Sequence, residues 1–88
     1  MPQHQEDIIG VIAVLKELAE DSTVPRNVKT KLQIIVSTLD NEIEVPLKLS
    51  KALNEFDEII NDVNLEPHTR TQIWGVVSSL EKITQSLE

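Results

Sequence analysis

Three internal prolines constrain this chain more than any other feature, because each stands where a run of apolar residues at helical spacing begins. Pro25, Pro46 and Pro67 follow Val24, Val45 and Glu66. Proline is tolerated in the first turn of a helix, where its missing N–H has no intrahelical partner to lose, and breaks a helix further in. The prolines therefore cut the chain into four segments, each with one apolar stripe. The first runs from about His4 to Asp21, with Ile8, Val11, Ile12, Leu15, Leu18 and Ala19 on one face. The second carries Val28, Leu32, Ile35, Val36 and Leu39. The third carries Leu49, Ala52, Leu53, Phe56, Ile59, Ile60 and Val63, and the fourth Ile73, Val76, Val77, Leu80, Ile83 and Leu87. No stretch alternates apolar and polar residues as a half-buried strand does, so the fold class is all-α.

The linkers, about 22–24, 43–45 and 64–66, are short enough to force sequential helices antiparallel. Four such helices with one stripe each close into an up-and-down bundle, one domain over residues 1–88, with hairpins at about 4–42 and 46–87. A repeat at an offset of 41 supports the two-hairpin reading: Lys31-Leu-Gln-Ile-Ile-Val-Ser-Thr-Leu-Asp40 aligns with Gln72-Ile-Trp-Gly-Val-Val-Ser-Ser-Leu-Glu81. Two copies are too few for a stacked solenoid, which leaves the closed bundle ahead of a repeat-like pair. A chain of 88 residues exposes roughly 5,000 Å² folded against about 14,000 Å² unfolded, enough for one small core.

Composition excludes several functions. The absence of cysteine removes disulfides, thiolate zinc sites, iron–sulfur clusters and cysteine nucleophiles. The polar, acidic start MPQHQED is not a signal peptide, and no apolar run approaches a membrane span, so the expected location is cytoplasmic, away from membranes. Fifteen acidic against eight basic residues, a net charge of −7, oppose the phosphate contacts that supply most nucleic-acid affinity. Two glycines cannot build a phosphate-cradling loop, and no serine stands in a Gly-x-Ser-x-Gly elbow. No Glu-x-x-His occurs, so the bundle di-metal pattern is missing. His4 and His68 are far apart in sequence, and Glu55, Glu58 and Asp62 share a helix face that reads as solvated rather than metal-binding. The expectation is a chain without catalytic residues, cofactor or metal.

The charges around the two hairpin turns invite a closer reading. Acids close the odd segments (Glu20, Asp21; Asp57, Glu58, Asp62) and bases open the even ones (Arg26, Lys29, Lys31; His68, Arg70). Both placements oppose the helix macrodipole. In one reading acid and base face each other across each turn, Asp21 with Arg26 and Asp62 with Arg70. In another, the free N–H groups opening the even helices act with Arg26 and Arg70 to hold an anion. Up-and-down topology puts both turns at one end of the bundle, where Arg26, Asn27, His68, Arg70 and Trp74 form a candidate interaction patch. Trp74 lies roughly 130° from the centre of its stripe; it is either a lid over the 63–65 turn or an anchor for a partner. Ile9, Val14 and Ile34 also fall off their stripes and, taken together, outline a homodimer face.

The two turn segments, Leu18-Ala-Glu-Asp-Ser-Thr-Val-Pro-Arg-Asn27 and Ile60-Asn-Asp-Val-Asn-Leu-Glu-Pro-His-Thr-Arg-Thr-Gln-Ile-Trp74, resemble the turn motifs of a small archaeal family of uncharacterised proteins, number 0147 in its series. The resemblance covers nearly the whole chain. It implies a bundle of the bromodomain-like, mirror-variant up-and-down topology and an archaeal cytoplasmic source, and it brings no activity. The function expected from the residues is a non-enzymatic module that presents its turn end or an apolar side to a protein partner. The alternatives are a small-anion or nucleotide-binding protein and an RNA-associated accessory protein.

Overall fold

The computed structural model describes residues 5–86 and places them in four α-helices: α1 (Gln5–Glu20), α2 (Arg26–Asp40), α3 (Val45–Ile59) and α4 (Pro67–Ser86). His4 and Leu87, read above as the ends of the outer helices, lie outside the described residues. Each helix packs on its neighbours in the chain, and α4 returns to pack on α1. No Cα atoms of the diagonal pairs, α1 with α3 or α2 with α4, come within 8 Å. That closed ring is an all-α four-helix bundle. Its long dimension of 37 Å is set by α4, whose 20 residues span about 30 Å.

The stripes meet along the axis. Leu15, Phe56, Leu32, Ile35, Leu39, Leu49, Ile59, Ile73 and Leu80 are fully buried, and burial of such side chains is the main favourable term in holding four short helices together. Buried positions recur 41 residues on: Ile8 with Leu49, Leu15 with Phe56, Leu18 with Ile59, Leu32 with Ile73, Leu39 with Leu80.

The same spacing appears in the turns. Asp21 accepts the backbone N–H of Thr23 on Oδ1 at 2.9 Å, and Asp62 accepts that of Asn64 at 2.8 Å. In each turn the aspartate carbonyl then accepts the N–H three residues on, from Val24 at 3.1 Å and from Leu65 at 3.2 Å. These are Asx-type turns, in which a carboxylate two residues back replaces the lost helical acceptor. Val24 and Leu65, read from sequence as linker, are buried plugs at the ends of the core. Val63 behaves oppositely. Assigned above to the third stripe, it is 90% exposed, because α3 has ended and the Asp62 turn has broken the 3.6-residue phase that would have carried it inward. Pro46 stands one residue inside α3, which begins at Val45.

Candidate functional site

The α1–α2 and α3–α4 turns lie at one end of the bundle, and the polar residues there cross from hairpin to hairpin. Asn27, in the first turn of α2, donates from Nδ2 to Oδ2 of Asp62 at 2.6 Å. Arg70, in the first turn of α4, donates from Nη2 to the carbonyl of Asp62 at 2.9 Å; its Nε is buried without a partner. Asp62 thus ties α2, the 60–66 turn and α4 together. The position equivalent to Asn27 in the other hairpin is His68, which with Lys29 is near enough to Asp21 to act on its carboxylate. His68 Nδ1 lies 3.3 Å from a carboxylate oxygen of Glu66.

The carboxylates respond to these partners. Asp62 is held below the ordinary aspartate range, first by the Asn27 amide, then by the Asn64 N–H, with the Arg70 charge adding to both. Asp21 is lowered first by the Thr23 N–H and then by the Thr23 hydroxyl, which donates to the same oxygen at 2.7 Å. In both cases hydrogen bonds to the ionised form are the leading cause.

This geometry corrects the pairing expected across the turns. Asp21 bonds Thr23, two residues away, and Arg26 is not its partner. Asp62 meets Arg70 through its backbone carbonyl while its carboxylate serves Asn27 and Asn64. A donor two residues away costs far less side-chain ordering than an arginine across a turn. Of the candidate patch, Asn27 and Arg70 join at Asp62, and His68 stands by Asp21. Arg26 is exposed and lies roughly 150° from the buried stripe of α2, so it points away from the axis. Trp74 is 51% exposed and sits one helical turn beyond Arg70 on α4, which is diagonal to α2. No lid closes over Val63. The five residues therefore spread around the bundle end in place of converging on one spot.

The acidic face of α3 is committed to a base. Lys31 on α2 donates from Nζ to Glu58 at 2.6 Å and lies 3.6 Å from Glu55. The Glu58 bond raises the Lys31 ammonium above its ordinary range and lowers Glu58 below it. Among the described residues no group of three or more His, Asp or Glu side chains is placed to hold a metal ion, and no helix is long and apolar enough to cross a membrane. Ile9, Val14 and Ile34 do not share a face. Val14 lines a hollow between α1 and α4, Ile9 one beside the α2–α3 turn, and Ile34 one on the outer side of α2.

The hollow between α1 and α4 is the feature that the sequence reading missed. It is a groove of about 540 Å³, walled by Gly10, Val11 and Val14 from α1 and by Gly75, Val76 and Ser79 from α4. Both glycines of the chain lie in it, in mid-helix, with no positive φ to require them. A Cβ at either would meet nothing within 4 Å. The signal was present in the sequence: a mid-helix glycine costs about 0.5–1 kcal/mol relative to alanine, and two without a turn or a tight contact to justify them mark a place where side chains are absent for another reason.

The structure defines a small all-α four-helix bundle, and comparison shows the family to which it belongs. A family model described as uncharacterised protein family UPF0147 matches residues 1–83; the chain belongs to that family. It is 40% identical over 80 residues to a UPF0147 protein of Methanocaldococcus jannaschii, covering 90% of this chain and 86% of that one. It is 35% identical over 85 residues to one of Pyrococcus furiosus, covering 94% and 91%. The crystal structure of the unknown-function protein MMP1188 superposes with a TM-score of 0.82 at 38% identity, covering 92% of this chain and 91% of that one.

Proposed function

We propose that the chain is a non-enzymatic, cytoplasmic protein-interaction module that contacts its partner through the turn end and the adjoining flank of α4. The observation that carries this reading is Trp74, 51% exposed on a helix whose first turn is locked by the Arg70 bond to the Asp62 carbonyl. A half-exposed indole on a rigid element is a side chain that anchors interfaces well, because little conformational freedom is lost on binding. Arg26 and His68 are the basic residues of that end whose side chains face solvent. The acids there already serve the fold, Asp21 through Thr23 and Asp62 through Asn27 and Asn64, which favours binding over acid–base chemistry.

A protein partner is favoured over a free anion, a nucleotide or RNA because the Asp21, Asp62 and Glu66 carboxylates stand among the bases and repel a phosphate group. The test is affinity capture from native cell extract with the intact protein and with Arg26→Ala/Trp74→Ala, with and without nuclease. Loss of a specific protein in the variant, unaffected by nuclease, supports the reading, and equal recovery by both proteins overturns it. Phosphate or nucleotide at millimolar concentration should leave the melting temperature unchanged, whereas a ligand-dependent rise would favour the anion reading.

A further inference from the structure

The α1–α4 groove is independent of the turn end, and its two walls are complementary to each other. Antiparallel packing sets Val14 of α1 about level with Gly75 of α4, and Asp7 at the groove mouth about level with Lys82, both of them lining residues. Val14 projects from its wall, 39% exposed, whereas Gly75 is a gap in the opposite wall with open space at its Cβ position.

We propose that this groove is the docking surface for a second copy of the same chain, arranged about a two-fold axis parallel to the helices. That operation lays α1 of each copy over α4 of the other at the same height. Val14 of each copy then enters the gap at Gly75 of the other, side by side at one height across the axis of one isologous interface. Asp7 of each copy comes level with Lys82 of the other, so opposite charges meet twice. Each helix acquires an antiparallel neighbour across the interface, the favourable arrangement for their dipoles. Size permits it: a standard interface covers about 800 Å² per partner, roughly one seventh of the 5672 Å² exposed by the chain, and one side of a four-sided bundle offers about a quarter. Gly10 and Gly75 acquire a reason, since close approach of two helices requires small residues.

The test is sedimentation of the full chain from micromolar to about millimolar concentration, where a species of twice 9.9 kDa is expected. Gly75→Met fills the gap that Val14 enters and should weaken association by at least about tenfold, with helicity by circular dichroism confirming that the variant is folded. Lys82→Glu and Asp7→Lys, each alone, place like charges across the interface and should weaken it. Mixing these two variants should restore association, because the mixed dimer holds one native and one reversed ion pair while each chain's own 7–82 relation stays altered. A monomer at every concentration, an unaffected Gly75→Met variant, or no gain on mixing would each overturn the proposal. Arg26→Ala/Trp74→Ala should dimerise as the unmodified chain does, so failure here and failure of the turn-end reading are separable.

Discussion

The seam between α2 and α3 and the seam between α4 and α1 occupy equivalent places in the two hairpins, yet one is roofed and the other open. In the first, Lys31 reaches from α2 to Glu58 and Glu55 on α3, and Lys51 of α3 and Ile34 of α2 stand where the other hairpin has its glycines. The residues 41 positions away in the second are Gln72, Glu17, Val14, Gly10 and Gly75. Long side chains have become a glutamine, a valine and two glycines, and a groove of about 540 Å³ remains. The core beneath follows suit: Ile35 and Ala52 are sealed under the roofed seam, whereas Val76 and Val11 retain a few per cent exposure. The same topology thus yields a closed side and an available side, through shorter side chains together with a looser approach of α4 to α1 than of α3 to α2.

The largest expected effect tests the core under each seam. Ile35→Ala, in a sealed site, should destabilise by about 2–5 kcal/mol. Val76→Ala deletes fewer carbons next to a groove that water already reaches, so roughly half that loss is expected. Chemical denaturation of both variants measures the difference, and an equal or larger loss at Val76 would break the comparison. The next effect has the opposite sign. Gly10→Ala and Gly75→Ala should each stabilise the isolated chain by about 0.5–1 kcal/mol, because the helix gains propensity and the added methyl meets open space. Lys51→Gly at the equivalent roofed position should lose a similar amount. A destabilising Gly→Ala would mean that the groove is tighter than described.

How much of this was legible in the sequence depends on the range of the interaction. The stripes of α2 and α4 were readable because periodicity is local: Val28, Leu32 and Ile35 repeat every three or four residues, and propensity needs no knowledge of the neighbour. Exposure of Trp74, Ile9, Val14 and Ile34 followed from the same wheel. Val63 was misread because a stripe does not announce where an Asx turn stops it. Pairing Asp21 with Arg26 failed since charge alone was weighed, and the Thr23 N–H two residues away is a nearer donor. The groove was missed because it arises between the first and last helices, and which seam is left unroofed depends on a register that no local pattern encodes. Only the two unexplained mid-helix glycines pointed to it.

A smaller effect comes from roofing the open seam. Glu17 already stands where Glu58 does, so Gln72→Lys should create a counterpart of the Lys31 bridge, and Val14→Glu should complete it. Exposed ion pairs of this kind are weak and screened. A modest rise in melting temperature at low ionic strength that disappears in about 1 M salt is expected, and a rise insensitive to salt would assign the gain to packing instead.

The smallest effect distinguishes the two Asx turns. Asp62 is lowered by a partner from the other hairpin, Asn27, ahead of its local donor, whereas Asp21 is lowered mainly by Thr23 in its own turn. A depressed carboxylate contributes stability that is fully present above its unfolded-state pKa, about 4, and is lost as pH falls through its folded value. Asn27→Ala should therefore lower the melting temperature at pH 6, and its difference from the unmodified chain should shrink steadily below about pH 4 as Asp62 protonates in both. Thr23→Val leaves the Asp21 turn its backbone donor, so it should show the same pH trend with a smaller amplitude. If Thr23→Val proved the more harmful, the cross-hairpin tie at Asp62 would carry less of the turn end than its 2.6 Å bond implies, and the local bonds of the Asp21 turn would carry more.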